Sequence, residues 1–289
     1  MSALSDYGVI RELLARHAFS FSKALGQNFL VNPSVCPRMA EYAAEGGAEG
    51  VVEIGPGIGV LTRELAQRFQ KVTAFEVDTR LSPVLDETLA GCGNVSIRFE
   101  DILKADLRHV LETDFAGMRV CVCANLPYYI TSPILMDLLE NRFPFESITV
   151  MVQKEAADRI CAKPGSKQCG VLTAAVHYYA EPEKLFSVSR GSFMPPPQVD
   201  STVMRLRVRN TPPVAVKNED FFFRVIRAAF GQRRKTAANS LSAGLSMPKS
   251  IVETALQDCG VAENARAETF TLDTFAILGD RLYKEVEKT

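Results

Sequence analysis

Apolar residues along the first two thirds of the chain alternate between short continuous runs and stretches with helical spacing. The stretches carry apolar residues three and four positions apart, as in Leu61, Leu65 and Phe69. The runs have the length of buried strands and span residues 51–54, 72–77, 95–99, 120–124 and 147–152. Strands that alternate with helices predict an α/β fold with a parallel sheet covered on both faces.

The pattern changes near residue 205. A strand predicted over Ser201–Val208 is followed by Thr-Pro-Pro at 211–213, which favours a turn or linker. Residues 219–289 then show only helical spacing. We therefore predict a first domain over 1–210 and a smaller, all-helical domain over 211–289.

Composition agrees with a globular protein, since 47 % of the 289 residues are apolar and 23 % are charged. No run of eighteen apolar residues occurs, so we expect no membrane span. The N-terminal residues lack the pattern of a signal peptide, which predicts a cytoplasmic location. The seven cysteines are an odd number without a CxxC pair, which favours neither disulfides nor a metal site.

The net charge of −1 conceals an uneven distribution. Residues 201–250 hold ten Lys or Arg against two acids, whereas 251–289 hold four against eight. Five of the basic residues fall within twelve positions: Arg224, Arg227, Arg233, Arg234 and Lys235. An ordinary solvated helix face and a surface that binds RNA phosphates both fit this stretch, and its local charge favours RNA.

A glycine-rich loop follows the first predicted strand, with glycines at 55, 57 and 59. This GxGxG spacing lets the backbone turn sharply and approach a ligand closely. Position 60 is Val60, so the dinucleotide fingerprint fails, and no Gly-Lys-Ser/Thr follows to make a P-loop. A plain tight turn is the alternative interpretation.

Acidic residues at the tips of the next strands favour a ligand. Glu76 could accept both hydroxyls of a ribose, and Asp101 could accept from an exocyclic amine. Nucleoside recognition without a phosphate grip predicts S-adenosylmethionine as the cofactor.

The fourth predicted strand ends in Asn125, Leu126, Pro127 and Tyr128. The amine of adenine is a poor nucleophile because its lone pair is delocalised into the ring. The side-chain carbonyl of Asn125 and the backbone carbonyl of Leu126 could hold that amine, while Tyr128 stacks on the base. An Asn-capped turn is the alternative. These residues predict a methyl donor site and a planar amine acceptor, and leave the nucleic acid open.

Five segments together identify a family. They are Leu-Gly-Gln-Asn-Phe-Leu at 25–30, residues 53–59, residues 125–128, Phe-Met-Pro-Pro-Pro-Gln-Val-Asp-Ser at 193–201, and Phe-Gly-Gln-Arg-Arg-Lys-Thr at 230–236. In this order they resemble the KsgA family of rRNA adenine dimethyltransferases. The resemblance implies a Rossmann-like class I methyltransferase domain with a mostly parallel seven-stranded sheet and a small C-terminal all-α domain. It also implies dimethylation of two adjacent adenosines near the 3′ end of 16S rRNA, within the immature small ribosomal subunit.

The resemblance also implies residue roles. Tyr128 and Phe193 would face the two sides of a flipped base. The residues that would bind S-adenosylmethionine are Gln27, Asn28, Leu30, Glu53, Gly55, Gly57, Gly59, Glu76, Asp101 and Asn125. The segment before Leu25 has fewer basic residues than we expect of the family, so Phe19 and Phe21 there could stack on RNA or simply pack.

Three other functions compete with this one. A large-subunit rRNA adenine methyltransferase of the antibiotic-resistance type shares the glycine loop, although Tyr-Ile-Thr-Ser-Pro at 129–133 favours the small subunit. A DNA adenine methyltransferase usually has Asp-Pro-Pro-Tyr or Asn-Pro-Pro-Tyr at the catalytic loop. A non-catalytic assembly factor would not need the acids and Asn125. A monomer is predicted, since no contiguous exposed apolar stripe is evident.

Overall fold

A computed structural model describes residues 3–22, 25–232 and 234–287. The chain divides into two compact units. The first, an α/β unit, comprises the described residues of Met1–Ala157 and Glu181–Val208. The second, a helical unit, comprises those of Asp158–Ala180 and Arg209–Thr289. Residues 158–180, which the sequence pattern placed with the first domain, therefore pack with the C-terminal helices.

Nine strands occur in the described residues. They are β1 (Phe29–Leu30), β2 (Gly50–Ile54), β3 (Lys71–Phe75), β4 (Val95–Arg98), β5 (Val120–Asn125), β6 (Phe145–Gln153), β7 (Ala180–Val188), β8 (Phe193–Met194) and β9 (Ser201–Val208). Seven of them form one sheet in the order β4-β3-β2-β5-β6-β9-β7. The five strands from β4 to β6 are parallel, and β9 runs antiparallel to β6. The predicted mostly parallel seven-stranded sheet is confirmed.

Every strand that the apolar runs predicted is present, but two end earlier than predicted. β3 stops at Phe75 and β4 stops at Arg98. The apolar residues beyond these ends, Val77 and Phe99, are exposed. An apolar run shows only that a segment is buried or ligand-facing, so it could not separate strand residues from a loop that continues the run.

Three strands were not predicted. β7 carries charged residues and Pro182, and it lies at the edge of the sheet, where proline is tolerated. β1 and β8 are two-residue strands that pair antiparallel, with Leu30 opposite Phe193. No period of two can be detected in so short a segment.

Twelve α-helices occur in the described residues. They are α1 (Tyr7–Arg16), α2 (Val35–Ala44), α3 (Val60–Ala66), α4 (Ser82–Thr88), α5 (Leu107–Asp114), α6 (Thr131–Glu140), α7 (Lys154–Ile160), α8 (Val171–Tyr179), α9 (Glu219–Phe230), α10 (Ala237–Leu245), α11 (Lys249–Asp258) and α12 (Leu272–Val286). None of them has the length and apolar character needed to span a lipid bilayer.

The core of the α/β unit lies between helices and the central strands. Met39 of α2 and Leu65 of α3 belong to one buried cluster with Val51 of β2 and Cys121 of β5. This packing anchors the helices that flank the carboxyl ends of β2 and β5.

The helical unit is organised around α9. Its apolar residues Phe222, Ile226 and Ala229 have helical spacing and are buried. The hydroxyls of Tyr178 and Tyr179 at the end of α8 donate to the carboxylate of Glu219, over 3.1 and 2.8 Å. These bonds are one reason why residues 158–180 belong to this unit.

Candidate active site

A cavity of about 380 Å³ lies at the carboxyl ends of the central strands of the α/β unit. β2 has β3 on one side and β5 on the other, although β3 follows it directly in the chain and β5 does not. Sheets of this kind bind ligands at such a switch point. The loops after β2, β3, β4 and β5 all line the cavity, and its volume is in the range of small-molecule sites.

The glycine loop adopts the backbone conformation that its spacing predicted. Gly55, Gly57 and Gly59 all have positive φ, at 70°, 58° and 85°. A Cβ on Gly55 would meet nothing within 4 Å, whereas a Cβ on Gly57 would lie 3.1 Å from the ring of Phe29. Gly55 and Gly57 line the cavity.

Gly59 has a different position. It precedes α3, and a Cβ there would lie 3.1 Å from both Leu89 and Thr88. It is not among the residues that line the cavity. Glycine is needed at position 59 because the backbone before α3 has a positive φ and because a side chain would press against Leu89 and Thr88. Gly59 can therefore affect a ligand only indirectly.

Glu53 is the most unusual ionisable group of the cavity. Its residue is 1 % exposed, and neither carboxylate oxygen has a hydrogen-bond partner among the described residues. Burial raises the pKa of Glu53 to about 8, and the carboxylate of Glu76 contributes in the same direction. The Thr62 hydroxyl nearby offsets this pKa shift in part, although its geometry is not that of a hydrogen bond. A buried, unpartnered carboxylate favours a cationic ligand.

Glu76 connects two loops of the cavity. One carboxylate oxygen accepts from the amide of Gly57 at 3.2 Å, and the other accepts from the amide of Asp78 at 2.9 Å. Burial raises the pKa of Glu76, and these two amides oppose the rise. Asp101 also lines the cavity, and one of its oxygens accepts from the amide of Leu103 at 3.1 Å.

The segment before β1 forms another side of the cavity. Gln27, Asn28 and Leu30 all line it. The Gln27 side chain is engaged within the protein, since it donates to Asp78 over 2.8 Å and accepts from the Ser22 amide over 2.8 Å. Gln27 thus holds the segment in place. The side-chain amide of Asn28 donates to the backbone carbonyl of Gly26 over 2.9 Å.

The aromatic residues that precede this segment pack against it. The rings of Phe19 and Phe21 lie 6.2 and 5.2 Å from the ring of Phe29. Of the two alternatives that the sequence left open, packing is the one observed.

The Asn125–Tyr128 loop reaches the same cavity. All four residues line it, with Asn125 at the end of β5 and Leu126 donating its amide to the Met151 carbonyl over 3.2 Å. The Pro127 carbonyl accepts from the amide of Ile130, which closes a short 3₁₀ turn. The Tyr128 hydroxyl shares a 2.7 Å hydrogen bond with the hydroxyl of Ser201.

Phe193 is, after Gly59, a second predicted site residue that does not line the cavity. It is 4 % exposed and belongs to the buried cluster around Leu30, its partner across β1 and β8. In this structure Phe193 is a core residue, because its strand pairing directs it inward. The sequence motif alone could not distinguish the two positions.

Other residues of the cavity were not predicted. Most of them are apolar or aromatic and include Val77, Ile102, Leu103, Tyr129 and Ile130, whereas Glu100 is acidic. Val77 is 50 % exposed and Tyr129 is 56 % exposed. The sequence signal that could have found them is an apolar residue in the loop that follows a predicted strand.

The basic stretch lies on the helical unit. Arg224 and Arg227 are exposed on α9, and Arg234 and Lys235 are exposed in the turn that follows. The guanidinium of Arg224 also lies 6.0 Å from the ring of Phe221. Arg233, predicted with them, lies outside the described residues.

These groups fit a cationic nucleoside. The cavity offers three carboxylates, Glu53 near the end of β2, Glu76 after β3 and Asp101 after β4. Glu53 is deeply buried and has no hydrogen-bond partner among the described residues. Apolar side chains and the open space beside Gly55 supply room and contact area. S-adenosylmethionine carries an ammonium group, a sulfonium and a ribose, and therefore matches this set of acceptors.

The chain was compared with known proteins. A family model described as ribosomal RNA adenine dimethylase matches residues 18–283. A protein named ribosomal RNA small subunit methyltransferase A from Anoxybacillus flavithermus is 50 % identical over 277 residues, which cover 94 % of each chain. Its counterpart by name from Geobacillus thermodenitrificans is 49 % identical over 279 residues, or 95 % of each chain.

Solved structures agree with the fold. The 23S rRNA methyltransferase ErmE superimposes with a TM-score of 0.67 and 31 % identity, over 89 % of this chain and 100 % of its own. A dimethyladenosine transferase from Plasmodium falciparum gives 0.69 and 25 %, over 90 % and 98 %. The predicted class I methyltransferase fold is confirmed. The family match over residues 18–283, with near full-length relatives at about half identity, shows that the chain belongs to the ribosomal RNA adenine dimethylase family.

Proposed function

We propose that this enzyme transfers methyl groups from S-adenosylmethionine to N6 of two adjacent adenosines near the 3′ end of 16S rRNA. The products are N6,N6-dimethyladenosines, made during small-subunit biogenesis. The observation that carries the proposal is the shared cavity of the glycine loop and the Asn125–Tyr128 loop. Relatives at about half identity that are named small-subunit methyltransferases support the choice of substrate.

The cofactor would be held by three acids and the backbone. Glu53 would receive its ammonium group, Glu76 the ribose hydroxyls and Asp101 the adenine amine. Gly55 would allow close contact because a side chain there would enter the open space beside the loop. When bound, S-adenosylmethionine supplies an electrophilic methyl group on a sulfonium sulfur.

The target amine would be held by two acceptors. The side-chain carbonyl of Asn125 and the backbone carbonyl of Leu126 would each accept one N–H of adenine N6. Holding both hydrogens turns the nitrogen lone pair toward the methyl group. The cofactor would supply the methyl group to N6 and keep the carbon–sulfur bonding electrons, and N6 would give up a proton to solvent. Orientation of this kind contributes up to roughly 7–11 kcal/mol in ideal cases.

The helical unit would bind rRNA through the basic stretch. Arg224, Arg227, Arg233, Arg234 and Lys235 would contact phosphates, which position the substrate without reading its sequence. We further propose that the enzyme acts as a monomer on the immature small subunit in the cytoplasm.

The test is transfer of labelled methyl from S-adenosylmethionine to unmodified small subunits, with naked 16S rRNA and large subunits as parallel substrates. Dimethyladenosine in the small-subunit reaction supports the proposal. Label confined to the large subunit would instead establish the resistance-type activity, for which the similarity to ErmE is the specific observation.

The variant Asn125→Ala separates chemistry from binding. It should still bind immature small subunits while methyl transfer is lost. If both the wild-type protein and this variant bind subunits and neither transfers methyl, the chain is an assembly factor without the reaction.

A further inference from the structure

The ring of Tyr128 lies at the cavity with few constraints of its own. It begins a 3₁₀ turn, Tyr128–Ile130, whose backbone is fixed by the Pro127 carbonyl. The ring makes no ring–ring contact with another aromatic residue in the described part of the chain. Within the described residues, the side chain of Tyr128 makes one hydrogen bond, the 2.7 Å bond to Ser201.

Ser201, in contrast, is held rigidly. It is the first residue of β9, is 0 % exposed and pairs in register with Gln153 of β6. Directly before it, the carbonyl of Asp200 accepts from the amide of Lys154 at 3.0 Å. A buried hydroxyl requires a hydrogen-bond partner, and Tyr128 provides it.

Ser201 also ends the segment 193–201 whose first residue, Phe193, lies in the core. Of these two residues, Ser201 is the one that hydrogen-bonds to a side chain of the catalytic loop, Tyr128. Burial raises the pKa of Tyr128, so the phenol keeps its proton at neutral pH and the two hydroxyls stay paired.

We propose that Ser201 is a positioning residue that holds the Tyr128 ring in place to stack on the target adenine. This inference rests on the proposed function for its substrate. The sheet fixes the hydroxyl of Ser201, and that hydroxyl fixes the ring before the base arrives. Ordering the ring in advance lowers the cost of binding an extruded base.

Two substitutions remove the bond from opposite sides. Ser201→Ala removes one hydroxyl, and Tyr128→Phe removes the other while it keeps the ring. Each should lower kcat/KM for small subunits by about threefold to tenfold, mainly through kcat, with cofactor affinity unchanged. The double variant should lose no more than the larger single loss, because one bond is removed in all three. Ser201→Thr keeps a hydroxyl at this position and should therefore retain most of the wild-type activity.

Thr202→Ala is the matched control for damage to β9. Thr202 is the next residue of the strand and is also buried, but side chains alternate along a strand, so it lies on the opposite face of the sheet from Ser201. The Thr202→Ala variant should lose as much thermal stability as Ser201→Ala, while its kcat and KM stay unchanged. Multiplicative losses in the double variant, or equal losses in Ser201→Ala and Thr202→Ala, would overturn the proposal.

A measurement without RNA separates this proposal from the proposed function. The chain has seven tyrosines and no tryptophan, so labelling with 3-fluorotyrosine gives a small ¹⁹F spectrum. Tyr128→Phe assigns the resonance, and Ser201→Ala should shift it while Thr202→Ala does not. An unmoved resonance refutes the positioning role. A shifted resonance with no methylated RNA refutes the proposed function and leaves the contact intact.

Discussion

The amide of Gly57 donates to the carboxylate of Glu76 over 3.2 Å, and this bond joins the loop after β2 to the loop after β3. Nineteen positions separate the two residues in the chain. Parallel pairing of β2 with β3 brings them together, since the carboxyl ends of both strands lie at one edge of the sheet. Glu76 and the glycine loop are thus connected, and Glu53 is buried beside them.

Cofactor binding should release a proton from Glu53. With a pKa raised by burial to about 8, the carboxyl is mostly protonated at pH 7 in the unliganded protein. An ammonium group beside it would favour the anion, so about one proton should be released per S-adenosylmethionine bound. Calorimetry at pH 7 in buffers of different ionisation enthalpy measures this number.

The control variant is Glu53→Gln, which should release almost no proton and bind the cofactor more weakly. 5′-Methylthioadenosine, which lacks the amino-acid portion, should bind without proton release to either protein. Equal proton release from wild type and variant would assign the proton to another group.

Glu53 should also make the unliganded protein less stable at higher pH. Its folded pKa of about 8 lies above the ordinary value of 4.5, so the native state holds the proton more tightly than the unfolded chain. The stability from this group is therefore fully present below pH 4.5 and is lost as pH rises through about 8. Urea unfolding at about four pH values between 5 and 9 gives the free energy of unfolding. This free energy should decline less with rising pH in Glu53→Gln than in the wild-type protein.

Gly55→Ala should weaken both the fold and cofactor binding. A left-handed alanine costs roughly 1–2 kcal/mol, and the added methyl would occupy open space at the cavity. We expect affinity for S-adenosylmethionine to fall by about tenfold or more, the equivalent of roughly 1.4 kcal/mol. Titration calorimetry and thermal unfolding give the two quantities.

Gly117→Ala is the matched control. Gly117 has a φ of 75° and equally open surroundings, but it does not line the cavity. Both variants should lose similar stability, and only Gly55→Ala should lose affinity. Equal affinity in the two variants would place the cofactor away from Gly55.

Removing basic residues of the helical unit should reduce the salt dependence of subunit binding. Replacing Arg224, Arg234 and Lys235 by alanine should lower the slope of log K against log salt by about 0.7–0.9 for each lost phosphate contact. Lys284→Ala, which removes an exposed charge on α12, should leave the slope unchanged. A triple variant with the wild-type slope would show that this face does not contact RNA.

Two helical glycines should respond to alanine with opposite sign. At Gly244 a Cβ would lie 2.7 Å from the Cβ of Ala228 and 2.9 Å from its Cα, so α10 cannot pack on α9 unchanged. Gly244→Ala should therefore destabilise by about 1–3 kcal/mol. At Gly279 the nearest atom lies 3.8 Å away, and alanine should stabilise by about 0.5–1 kcal/mol. Thermal unfolding of the two variants with the same sign would contradict the close contact.

The sequence by itself determined the features that depend on local burial and local backbone conformation. Apolar runs located the five parallel strands, and the glycine spacing located a loop with three positive φ angles. Because parallel strands end at one edge, the same pattern placed Glu53, Glu76, Asp101 and Asn125 on one cavity.

Only the tertiary structure decided what depends on pairing between distant segments. Phe193 is buried because its two-residue strand pairs with Leu30, and residues 158–180 join the helical unit in part because Tyr178 and Tyr179 bind Glu219. Ser201 meets Tyr128, 73 positions away along the chain, because β9 enters the sheet beside β6. The hydrophobicity of a short segment does not show which distant segment it will contact, since that contact forms only when the strands pair into the sheet.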